Sequence, residues 1–212
     1  MFEDLNITLI LTAGFVVMAS PGPATLAIAG TSMSSGRLYG LATAFGIITG
    51  SIIWSIIAAL GLGAVMMSNV WMFDVLRYFG AGYLLFLALK SARSALTASK
   101  SHAHAHALAQ PETSFIKAYS KGLLLHLTNP KAILFYGSLY AIGIPEGVKA
   151  GGIALVIFAL GFLATIVFAG YALLFSSPVL VKGYLKLQRW FEGIFAITFG
   201  MVAVKILTTK IG

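Results

Sequence analysis

Cysteine is absent from the 212 residues. Disulfides, thiolate metal sites and cysteine nucleophiles are therefore excluded. Charge is nearly as scarce, at 9% of residues against the quarter usual in soluble domains. So few charges cannot clothe a water-facing surface. Acidic residues number six against fourteen Lys and Arg, a net charge of +8. The basic residues sit in short connections between apolar runs rather than on one folded face, which argues against nucleic-acid binding. A role in membrane topology accounts for them better. The N-terminus, Met1-Phe2-Glu3-Asp4, lacks the positive charge of a cleaved signal peptide.

What is present is hydrophobicity: 59% of residues are apolar. A membrane-spanning helix needs about 20 mostly apolar residues. Six segments meet this: about 5–29, 41–67, 73–89, 119–142, 153–175 and 190–207. The first is interrupted at Ser20-Pro21-Gly22-Pro23 and the fourth at Asn129-Pro130. The runs are continuous and too long for barrel strands. An all-α integral membrane protein of six spans is expected.

Loop charge orients the chain. Arg37, then Lys90, Arg93, Lys100 and Lys117, then Lys182, Lys186 and Arg189 fall on one side. Arg77 and Lys149 fall on the other, with acidic Glu3, Asp4, Asp74 and Glu146. The positive-inside rule places the first set in the cytoplasm and both termini outside the cytoplasmic (inner) membrane.

The two halves resemble each other. Ser20-Pro21 matches Asn129-Pro130 at an offset of 109, Gly40 and Gly50 match Gly151 and Gly161 at 111, and Arg77 matches Arg189 at 112. An odd number of spans per half puts the halves in opposite orientations, as in the inverted repeats of secondary transporters. A single transmembrane domain over 1–212 is expected. Repeat one covers about 1–93, a cytoplasmic loop about 94–114, and repeat two about 115–212.

Proline removes a backbone donor and clashes with the preceding turn, so both breaks should open their helices. The freed amides and carbonyls must then find protein or a water-lined cavity. Paired breaks in corresponding positions point to a substrate site, which makes Ser20, Pro21, Gly22, Pro23, Asn129, Pro130 and Lys131 the candidate pathway. A simple packing kink is the competing reading. Lys131 lies inside an apolar run, where a charge costs about 2.5–3.5 kcal/mol on insertion scales. It either marks the pathway or snorkels to an interface. Asn129 offers both a donor and an acceptor. His126, a turn before the second break, suits a proton relay or a hydrogen bond to a neighbouring helix. Glu192, near the cytoplasmic start of helix six, is a second relay candidate. Gly46 and Gly50 read as a close-packing pair, and Trp71 and Trp190 as interface anchors. His102, His104 and His106 in the long loop have the residue type for a metal but no preformed geometry.

These motifs resemble the lysine exporter and homoserine/threonine exporter (LysE/RhtB) family. The resemblance rests on Ser20-Pro21-Gly22-Pro23, on Gly46, Gly50 and Gly61-Leu62-Gly63, on Gly80-Ala81-Gly82-Tyr83-Leu84, and on Leu127-Thr128-Asn129-Pro130-Lys131-Ala132. It implies a proton-driven secondary exporter of amino acids or their derivatives, with no organic cofactor and no catalytic residue. Many members carry an aspartate directly after the glycine that corresponds to Gly50. Here Ser51 stands in that place and joins the candidate pathway residues, which favours a neutral, homoserine- or threonine-like substrate over a cationic one. Export of divalent metal is the alternative function, and a non-transport membrane protein a weaker one. The partners expected are the amino acid and the bilayer, and the glycine-rich helix faces leave room for a homodimer.

Overall fold

The computed structural model describes residues 5–68, 70–97, 114–144 and 148–208, and among them the secondary structure is entirely helical. Among the described residues eight helices follow in order: α1 (Ile7–Ala19), α2 (Pro23–Ser35), α3 (Arg37–Ser68), α4 (Val70–Thr97), α5 (Phe115–Leu127), α6 (Pro130–Gly143), α7 (Ala150–Phe175) and α8 (Pro178–Thr208). The loop bearing His102, His104 and His106 lies outside the described residues.

Both expected breaks are present. The first separates α1 from α2 with a bend of 51°. The second separates α5 from α6 at Asn129. In each pair the second half-helix begins on proline, Pro23 or Pro130. Proline suits the first helical turn, where its missing N–H would have had no partner. Arg37–Gly61 and Ala150–Phe175 are each long and apolar enough to cross a membrane, and the bent pair α1–α2 passes the same test when its two helices are taken together.

Helix six extends further than its apolar run. α8 starts at Pro178, a full three turns before Trp190, so Lys182, Lys186 and Arg189 are helical and exposed rather than in a loop. No breaker follows Pro178, so hydrogen bonding continues through the charged stretch, and hydropathy records only the apolar part. Lys90 and Arg93 likewise lie on the last turns of α4.

α3 sits centrally, against α2, α5, α6 and α7, while α4 pairs along its length with α8. Glycine sets the α3–α5 spacing. A Cβ on Gly46 would strike the Tyr119 carbonyl, and one on Gly122 would strike the Thr43 carbonyl. Each glycine thus faces the other helix's backbone, the close approach that small residues permit in membranes. The outward faces are apolar: Phe158, Phe162, Ile194, Ile197 and Trp190 are all exposed.

Candidate functional site

The two breaks meet in space. Lys131, on the first turn of α6, donates from Nζ to the Ser20 carbonyl at 2.9 Å and also to Ser20 Oγ. Ser20 is the residue that ends α1. A helix end leaves carbonyls without intrahelical partners, and their dipoles favour a cation. Here the Ala19 carbonyl takes the Tyr171 hydroxyl at 2.6 Å, and the Val17 carbonyl takes Ser20 Oγ at 3.0 Å. Lys131 therefore neither snorkels to water nor stands alone. It caps the opposite half of the protein.

Each half-helix start is capped as well. Asn129 Oδ1 accepts from the Lys131 amide at 3.0 Å. The Gly22 amide donates to Thr25 Oγ1 at 2.8 Å. Gly22 is extended, so glycine is not needed there for its backbone angles. Its bareness leaves room for the lysine, since a Cβ there would lie in tight contact, 3.3 Å from Lys131 Nζ.

Around this junction is a cavity of about 30 Å³, lined by Ser20, Gly22, Thr25, His126, Asn129 and Lys131, with apolar walls from Val17, Met18, Phe135 and Phe168. That volume holds a water or two.

His126 and Ser51 come together, joined at 3.0 Å between His126 Nε2 and Ser51 Oγ. His126 is 4% exposed, and its ring edge meets Phe168. Gly50 leaves room for the imidazole, since a Cβ there would lie 3.1 Å from the His126 Cβ. A serine–histidine pair invites comparison with hydrolases. In a triad, though, the other ring nitrogen is held by a carboxylate. Here Nδ1 is buried with no partner among the described residues. One turn further along α3, Ser55 Oγ shares a hydrogen bond with the Tyr140 hydroxyl at 2.5 Å, which joins α3 to α6. This link was missed in the sequence, although a serine and a tyrosine inside apolar runs were the available signal.

Glu192 is also buried, at 4% exposure, and lies in the α4–α8 seam rather than at the breaks. Its carboxylate accepts from Ser94 Oγ at 3.0 Å, within electrostatic reach of Lys90 and Lys131. Among the described residues no group of three His, Cys, Asp or Glu is placed to hold a metal ion.

Comparison with known proteins accords with this architecture. The chain is 31% identical over 199 residues to the threonine efflux protein of Salmonella typhi, covering 92% of this chain and 94% of that one. It is 29% identical to the threonine efflux protein of Escherichia coli (strain K12), over the same shares. It is 32% identical over 203 residues to the leucine efflux protein of Klebsiella pneumoniae subsp. pneumoniae, covering 96% of this chain and 93% of that one. No solved structure matches. Residues 15–210 match the family described as LysE type translocator. With a match over nearly its whole length, and with the broken, apolar helices described above, this chain belongs to the LysE type translocator family.

Proposed function

We propose that this protein is a secondary exporter of neutral amino acids across the cytoplasmic membrane, driven by the proton motive force. The observation that carries this reading is the junction itself: two broken helices, 109 residues apart in sequence at their prolines, joined by Lys131 and Ser20 around one small cavity. The similarity to threonine and leucine efflux proteins supports an amino acid as the cargo. A zwitterion suits the junction. Half-helix starts at Gly22 and Asn129 favour its carboxylate, and the end of α1 favours its ammonium. Transport would proceed by alternating access, the halves rocking about α3 and α7. Ser51 and His126 would line the path, and Glu192 would carry the coupling proton.

Efflux of a panel of amino acids from preloaded vesicles tests this. Uncoupler-sensitive efflux of a neutral amino acid is expected. Asn129→Ala removes both the cap of α6 and a polar group from the cavity wall, so efflux should fall severalfold. If nothing but divalent metal moves, the reading is wrong. If Asn129→Ala exports as the wild type does, the site is misplaced.

Six spans in two inverted halves, with both termini outside, complete the proposal. The packing supports it: α3 rests on the α5–α6 pair as α7 rests on the α1–α2 pair, and α4 pairs with α8. The absence of native cysteine allows a direct check. In intact cells an impermeant maleimide should label Lys149→Cys. Lys186→Cys should react only after permeabilisation. The reverse pattern would invert the orientation.

A further inference from the structure

We propose that Ser20, through its carbonyl oxygen and Oγ, is the subsite for the α-ammonium group of the transported amino acid, and that Lys131 Nζ holds this subsite as an internal stand-in which the substrate displaces. The inference rests on the exporter reading above and deepens it. Lys131 is a primary ammonium, the same chemical group that an amino acid carries. It already makes, at 2.9 Å to the carbonyl and to the hydroxyl beside it, the contacts that such a group would seek. The end of α1 supplies the partial negative charge that favours either cation. Ser20 is only 3% exposed, so these acceptors are shielded from bulk water and favour a cation with donors to match.

Displacement has a driving force. No carboxylate lines the cavity among the described residues, so Lys131 is held there by neutral acceptors. An entering amino acid replaces those contacts with its own ammonium and brings a carboxylate to the ammonium of Lys131. Charge-assisted pairs of this kind are roughly twice as strong as bonds between neutral groups. The four-carbon stem of lysine is flexible, and Gly22 beside it presents no side chain where a Cβ would lie 3.3 Å from Nζ. Exchanging one ammonium for another keeps the α1 carbonyl satisfied throughout, while the lysine moves from the first break toward the substrate. A ligand without a free amino group cannot make the exchange.

Lys131→Ala should create a vacant ammonium subsite that a small amine can fill. Ethylammonium chloride should raise the melting temperature of purified Lys131→Ala in a saturable way, and should leave wild type and Lys131→Met unchanged relative to sodium chloride at equal ionic strength. No rise in Lys131→Ala, or an equal rise in wild type, overturns the assignment. A second measurement uses wild type alone, in case the variant does not fold. Solid-state NMR with the Ser20 carbonyl labelled in ¹³C should show a dipolar contact to the ¹⁵N of bound L-threonine or L-leucine, and the absence of this contact from the bound amino acid overturns the assignment. Efflux of the same two amino acids by wild-type vesicles separates the two ideas. Efflux without either subsite signal removes the subsite alone. Ethylammonium binding without any amino-acid efflux removes the exporter reading and leaves the ammonium site standing.

Discussion

Gly46→Ala and Gly122→Ala are expected each to destabilise the protein by about 3 kcal/mol, the upper part of the range for overpacking. The cause is the reciprocal contact of α3 with α5. The atoms that a new methyl would meet are the backbone carbonyls of Tyr119 and Thr43, not the ends of flexible side chains. A carbonyl in a helix cannot step aside alone, so the helices must separate. Separation would also pull His126 from Ser51, since α5 carries the histidine and α3 the serine. Melting of purified protein should fall by about 10 °C for each variant. Gly82→Ala and Gly170→Ala are the controls, because a Cβ at either meets nothing within 4 Å. If all four variants melt together, the close contact does not hold the fold.

Glu192→Gln is expected to abolish uphill export while leaving exchange of internal for external amino acid intact. Glutamine matches the size of glutamate and keeps an oxygen to accept from Ser94, so the α4–α8 seam should survive. What it loses is the ability to bind and release a proton. Glu192 is a buried carboxylate in the α4–α8 seam, within electrostatic reach of both Lys90 and Lys131. A proton bound there changes the field at the lysine that bridges the breaks. Intramembrane carboxylates of this kind commonly mark proton pathways. Counterflow and gradient-driven export in the same vesicles separate the two activities. Full uncoupler-sensitive export by Glu192→Gln would exclude the carboxylate from coupling. Loss of both activities would assign it to packing or binding.

Much of the architecture was legible because the bilayer simplifies the problem. Apolar runs of sufficient length must be helices, since no water satisfies their backbones. Pro21, Pro23 and Pro130 announced the breaks because a missing donor acts on its own helix and needs no partner. Gly46 and Gly50 announced close packing for a similar reason. The extent of α8 was not legible: Lys182, Lys186 and Arg189 interrupt the hydropathy signal without interrupting the helix.

The sequence by itself determined that this is a helical membrane protein with two proline-broken helices at matching positions, because these properties depend on composition and on local backbone chemistry. Only the tertiary structure decided which residues meet. Lys131 finds Ser20 across 111 residues, Glu192 finds Ser94 across 98, and His126 finds Ser51 across 75. Those pairings depend on how each helix is rotated and offset against its neighbour. Helices that are apolar all round carry almost no periodic signal of which face points inward. The rotation is instead decided by packing, by glycine contacts and by the need of each buried polar group for a partner, and these exist only once the chain is folded.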